Sequence, residues 1–140
     1  AHEPLFQESM SGDPFAMIVG CVLVNRTRWA QARPVHAELL RRHPTPLALA
    51  SADAGSVRDL VRPLGFEVAR SKNLVSLAAV WSSSPPAARA DVLRLPGCGR
   101  YAADSWSIFV EGDLGVEPTD IKLLSYLERN GICSTTPCSS

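Results

Sequence analysis

Ten consecutive residues, Phe15-Ala16-Met17-Ile18-Val19-Gly20-Cys21-Val22-Leu23-Val24, carry no charged or hydrogen-bonding amide or hydroxyl side chain. Asp13-Pro14 stands immediately before them, an N-cap residue followed by a proline suited to the first helical position. The run is long for a strand, and its neighbours repeat with helical period, so it reads as a helix. A helix that is apolar on every side must be covered on every side. The remaining chain therefore has to wrap around it. The run is also too short to span a bilayer, and no charged-then-apolar leader precedes it, so nothing in the chain indicates secretion or a membrane anchor.

The wrapping segments read as helices too. Residues 30–42 place Val35, Leu39 and Leu40 on one side. Short helices are expected over 46–51 and 56–62, with Asp53-Ala54-Gly55 between them, and a longer one over 67–81 with Leu74, Leu77 and Ala78 inward. Ser82-Ser83-Ser84-Pro85-Pro86 reads as a loop. Helices over about 87–93 and 100–110 follow, and a last one opens at Asp120 and ends near Asn130-Gly131. The fold class is all-α, with about eight short helices in one domain over residues 1–130 and a flexible tail over 131–140.

Between the two helices that end at 93 and begin at 100 lies Leu95-Pro96-Gly97-Cys98-Gly99. Gly97 and Gly99 can take positive φ and permit close approach of another backbone. The amides of Gly99, Arg100 and Tyr101 would then point outward at a helix start, where a phosphate can sit. About twenty residues further on stands Asp120, after Pro118-Thr119. An aspartate in such a position is most often a helix cap.

Composition permits a soluble globular domain, with 46% apolar and 20% charged residues. Fourteen cations and fourteen acids cancel, which argues for modest rather than strong polyanion affinity. The distribution is uneven: Arg26, Arg28, Arg33, Arg41 and Arg42 face only Glu38 between residues 25 and 43. A solvated helix face is the commoner meaning of such a run.

Leu95-Pro96-Gly97-x-Gly99, a helix, and a following acid resemble the helix-hairpin-helix DNA glycosylase superfamily, endonuclease III and its relatives. Within it, the pattern is similar to the thymine/uracil mismatch glycosylases. Asp13-Pro14-Phe15, Asn25-Arg26-Thr27, Pro63-Leu64-Gly65, Arg70-x-Lys72, Gly99-x-Tyr101-x-x-Asp104-Ser105 and Pro118-x-Asp120-x-Lys122-Leu123 extend the match from about Gln7 to Asn130. The resemblance implies a partner, double-stranded DNA with a mismatched or damaged base, and a monomeric enzyme without cofactor or metal. Many relatives hold an iron–sulfur cluster on four cysteines after the catalytic segment. Here only Cys133 and Cys138 lie there, so no cluster is expected.

Residue by residue, the resemblance makes Asp120 the essential carboxylate, stabilising positive charge on the deoxyribose or orienting the attacking water. Tyr101 stands where bifunctional relatives place an imine-forming lysine, which implies a monofunctional enzyme that leaves an intact abasic site. Gln7 and Arg26 match positions at the flipped base and its backbone. Gln7 offers both a donor and an acceptor to an imide edge. Leu64 matches a wedge that fills the hole in the base stack from an exposed tip. Lys122 holds Asp120 ionised or meets phosphate, and Gly97, Gly99 and Arg100 carry DNA backbone. Ile121 departs from the polar histidine common in relatives.

The activity so implied is hydrolysis of the N-glycosidic bond of thymine or uracil mispaired with guanine, by base flipping, in base excision repair. Two alternatives keep the fold: an enzyme for oxidised or modified thymine, and a non-catalytic DNA-binding module. The implied location is the nucleus in a eukaryote and the cytoplasm or nucleoid otherwise.

Overall fold

The computed structural model describes residues 5–130 apart from 11, 114 and 119. Nine α-helices and one 3-10 turn are found among them. They are α1 (Phe6–Ser9), α2 (Pro14–Leu23), α3 (Trp29–Arg42), α4 (Pro46–Ala50), α5 (Ala54–Val61), the 3-10 turn Arg62–Leu64, α6 (Glu67–Ser83), α7 (Arg89–Leu93), α8 (Arg100–Phe109) and α9 (Ile121–Arg129). The expected tail, Cys133 and Cys138 lie outside the described residues. No helix among those described is long and apolar enough to cross a membrane.

Side-chain caps set several starts. Asp13 accepts from the Ala16 amide at 3.1 Å, Thr45 from Ala48 at 3.1 Å, and Asp53 from Ser56 at 3.0 Å. α2 is buried from Phe15 to Leu23 and packs against α1, α3, α6 and α8. Its apolar circumference is met by neighbours all round, as its sequence demands. α4 and α5 cover α6, and α7 and α8 form the hairpin. α6 runs two residues past Trp81, so Ser82 and Ser83 are helical rather than loop.

Two apolar clusters result. The larger is built on α2, α6 and α8; the smaller joins Ile108, Leu123 and Leu127, with Val116 and Tyr126 against them. Tyr101 packs against both. Phe109 does the same and meets Tyr126 with centroids 4.9 Å apart, so the segment bearing Asp120 and α9 is seated on the hairpin's second helix through Tyr101, Ile108 and Phe109. α1 is the element the periodicity misses. It is seated because Gly20 leaves room for the Phe6 ring, which would meet a Cβ there at 2.6 Å. Phe6 also stacks on Trp29 with centroids 4.2 Å apart.

His36 is buried on α3 and its Nε2–H donates to the Ala16 carbonyl at 2.8 Å. Burial lowers its pKa below the ordinary value, so the folded protein holds it neutral. The unfolded chain takes up that proton below about pH 6.5 while the folded chain does not. Stability from this group is therefore present above that pH and lost as pH falls towards the lower folded value. Melting of wild type and His36→Gln between pH 5 and 8 should show the gap between them narrowing as pH falls. Parallel curves would remove His36 from the pH dependence.

Candidate active site

The two helices of the hairpin meet through Arg94–Gly99, with Cys98 N–H donating to the Leu95 carbonyl at 3.1 Å. Gly97 has φ 77°, and a Cβ there would lie 3.0 Å from the Asn73 Cβ of α6. Both the left-handed backbone and the close approach require glycine. Gly99 does not follow the expectation of positive φ. Its φ is −131°, it is the N-cap of α8, and a Cβ would meet nothing within 4 Å. Its bareness leaves open space in front of α8. That helix begins without a side-chain cap, so its first amides are available to an anion.

Asp120 is the N-cap of α9, with Oδ2 accepting from the Leu123 amide at 3.0 Å. The cap reading and the catalytic reading thus apply to one side chain, because the other oxygen has no hydrogen-bond partner among the described residues. Asp120 is half-buried and shares a cleft of about 1060 Å³ with Gly97, Gly99, Arg100, Tyr101, Gln7 and Arg26. That volume lies at the upper edge of small-molecule pockets, about 300–1,000 Å³, and fits a segment of polymer.

The charge of this cleft is unlike that of the chain. Among the described residues, Arg26, Arg28, Arg33, Arg100, Lys122 and Arg129 line it, against the single carboxylate of Asp120. Elsewhere several cations are paired locally: Glu38 with Arg41 and Arg42, Asp59 with Arg62, Asp91 with Arg94. A chain of zero net charge therefore presents one cationic face.

On the cleft's inner side, Gln7 is 1% exposed. Its Nε2 donates to the Tyr101 hydroxyl at 2.6 Å and to Ser105 Oγ at 3.2 Å. Its Oε1 is buried with no partner among the described residues. Because Tyr101 accepts from Gln7, its own O–H is left to donate elsewhere. Burial, ahead of the thiol of Cys21 and the charge of Asp120, pushes the Tyr101 phenol far up, so it keeps that proton. Cys21 also faces the cleft; burial pushes its thiol up to about 12, which makes it inert wall rather than nucleophile. Ser105 and Cys21 are site residues that sequence reasoning left unassigned. Only their placement on the inner faces of α8 and α2 marks them.

Leu64 is not on an exposed tip. It ends the 3-10 turn, is 8% exposed and joins the main core. The turn closes through Gly65 N–H to the Arg62 carbonyl at 3.0 Å, which swings Leu64 inward beside Val61. The exposed apolar residue is Phe66, at 61%. Phe66 and Arg26 are the two non-glycine residues with positive φ among those described, 52° and 68°. Each such backbone costs roughly 1–2 kcal/mol. Buried Arg70 holds the two turns together, donating to the carbonyls of Leu23 at 3.1 Å and of Asn25. The guanidinium groups of Arg26 and Arg70 lie 5.7 and 5.9 Å from the Phe66 ring centroid. Arg26 lines the cleft, and Phe66 packs against the side of Arg26 without lining the cleft itself. Ile121, 79% exposed, and Lys122 stand at the mouth next to Asp120.

A helical hairpin with a bare glycine turn and a capping aspartate thus share one cationic cleft. Residues 19–134 match the family model described as HhH-GPD superfamily base excision DNA repair protein, and the chain belongs to that superfamily. It is 41% identical over 124 residues to a thymine-DNA glycosylase of Aeropyrum pernix, covering 85% of this chain and 55% of that protein. It is 31% identical over 123 residues to a methyl-CpG-binding domain protein 4-like protein of Arabidopsis thaliana, covering 87% of this chain and 27% of that protein. The chain spans about half the length of the first of these relatives and less of the second. A solved endonuclease III–DNA complex superposes with TM-score 0.71 at 21% identity, over 91% of this chain and 65% of that one. A thermostable thymine-DNA glycosylase gives 0.66 at 19%, over 71% and 48%. At these identities the superpositions show the fold.

Proposed function

We propose that the chain is a monofunctional DNA glycosylase that releases thymine or uracil, mispaired with guanine, from double-stranded DNA. One observation carries the base preference: at the cleft's inner side an unpartnered buried acceptor, Gln7 Oε1, lies beside an unspent donor, the Tyr101 hydroxyl. An imide edge presents N–H next to C=O and satisfies both. A buried acceptor left unpaired costs about 1–3 kcal/mol, so a flipped base that brings a donor to Gln7 Oε1 is rewarded, and thymine and uracil do so through their imide N–H. The name of the Aeropyrum relative, a thymine-DNA glycosylase, agrees with this choice.

The steps follow from the groups present. The duplex lies along the cationic rim with phosphate at the amides that open α8. The target nucleotide turns into the cleft, at an unstacking cost of about a few kcal/mol that is least for a mismatch. As the C1′–N bond stretches, positive charge grows on the deoxyribose and the unpartnered oxygen of Asp120 opposes it. Water oxygen bonds to C1′, the bonding pair leaves with the base, and the water proton passes to Asp120 or solvent. Tyr101 cannot form an imine with the sugar, so the strand stays intact.

Insertion into the vacated stack falls to Phe66 with Arg26 beside it, since Leu64 is spent in the core. Base–aromatic stacking contributes about 1–3 kcal/mol, so Phe66→Ala should slow single-turnover release by about 10–100-fold at unchanged melting temperature. Leu64→Ala should instead destabilise the fold by about 2–5 kcal/mol and leave the rate of the folded enzyme near wild type. The reverse pattern would return the wedge to Leu64. A base-release panel on G·T, G·U, A·U and modified-thymine duplexes tests the function itself. Free base with intact strands before alkali is expected. Strand breaks before alkali would overturn the monofunctional reading, and binding without any release would make the domain a reader of DNA structure.

A further inference from the structure

Between Phe109 and Asp120 the chain crosses back along α8. Its first half is anchored by backbone bonds: Glu111 N–H to the Trp106 carbonyl at 3.1 Å and Asp113 N–H to the Ser107 carbonyl at 2.7 Å. Nearer to Asp120, one side-chain hydrogen bond from the rest of the protein holds the segment, among the described residues. Arg100 Nη2 donates to the Glu117 carbonyl at 2.5 Å, three residues before the acid. The same guanidinium lies with Nε 3.6 Å from Asp104 Oδ2. Asp104 is 1% exposed, and its other oxygen lies 2.7 Å from Arg89 Nη2 on α7. Neither contact is aligned as a hydrogen bond, so the carboxylate acts through its charge. Arg89 is fixed in turn by Nη1 donating to Ser107 Oγ at 3.1 Å.

We propose that Arg100 is a positioning residue: aimed by the buried Asp104–Arg89 pair, it holds the Glu117 carbonyl and so sets where Asp120 stands against the hairpin. This departs from its expected part as a phosphate ligand. Its side chain is 54% exposed, yet its fork is engaged by partners within the chain, one edge towards Asp104 and one on the loop, and this two-edged geometry is one that a lysine cannot reproduce. The link runs from the first hairpin helix through the second to the reacting carboxylate. The inference rests on the glycosylase reading for its rate measurement and on nothing but the fold for its exchange measurement.

Arg100→Ala leaves Asp104 its Arg89 partner, so the domain is expected to fold. At saturating enzyme the variant should release base about 100-fold more slowly, the loss expected of a misplacement near 1 Å. The slope of log affinity against log salt should not change, since no phosphate contact is removed. Arg100→Lys, which keeps the charge, should stay slow. Amide hydrogen exchange at Leu123 and Leu124, whose N–H groups donate to Asp120, should quicken in both variants, with α2 and α6 protected as before. A salt slope reduced by about one, with a saturating rate unchanged and restored affinity in Arg100→Lys, would make Arg100 a phosphate ligand and overturn the proposal. If wild type releases no base from any duplex, the glycosylase reading fails, and the exchange data decide alone. Exchange at Leu123 and Leu124 equal to wild type then overturns the positioning role, and faster exchange confined to these amides upholds it.

Discussion

Asp120→Asn should lower single-turnover base release by about 10²–10³-fold, the loss typical of removing one charge-stabilising group from a preorganised site, and should leave the fold unchanged. The amide oxygen of asparagine can accept from the Leu123 amide as Asp120 Oδ2 now does, and asparagine caps helices as well as aspartate. The lost rate would then report the charge and not α9. Duplex affinity should hold or rise, because Asp120 is the lone acid among six cations of the cleft and repels phosphate. Asp120→Ala separates the two duties, since it also forfeits the cap at a cost of about 1 kcal/mol and should melt earlier. Fluorescence binding and quenched-flow release on a G·U duplex measure all three quantities. Equal, slow release from wild type and Asp120→Asn, with equal binding, would leave Asp120 a cap and nothing more.

The elements that local chemistry dictates were legible. Asp13-Pro14 starts α2 where a cap and a proline should start it, and the apolar run is buried on every face because no face is polar. Asp120 opens α9 for the same reason. What could not be read is what tertiary contacts decide. Leu64 and Phe66 are both apolar and both flank Gly65; a tight 3-10 turn sends the first inward, and a left-handed φ of 52° turns the second out. Four residues of α1 carry too little periodicity to announce a helix. They are held by a ring packed over Gly20. Arg100 reads as a surface cation beside a phosphate turn until its partners, Asp104 and the Glu117 carbonyl, are seen. The cationic cleft was hidden by a net charge of zero, because the acids that balance the sum lie outside the cleft lining.

Gln7→Leu should reduce release of thymine and uracil alike by about 10–100-fold, the kinetic equivalent of 1–3 kcal/mol for an acceptor made in the site and then removed. Leucine is close to glutamine in volume, so Phe6 and Gly20 need not move, and the loss falls on recognition. Tyr101→Phe removes only the donor and should cost less, about tenfold. The two effects should not add, because Gln7 Nε2 and the Tyr101 hydroxyl are bonded at 2.6 Å and each orients the other. Gln7→Glu is the sharper test. A carboxylate there keeps an acceptor for the imide N–H but accepts the hydrogen bonds of Tyr101 and Ser105, so the donor half of the imide contact is lost and negative charge is placed near Asp120. Its release rate should fall towards that of Tyr101→Phe rather than that of Gln7→Leu. Wild-type rates in Gln7→Leu would mean that the base edge is read elsewhere, and would take away the observation on which the choice of thymine and uracil rests.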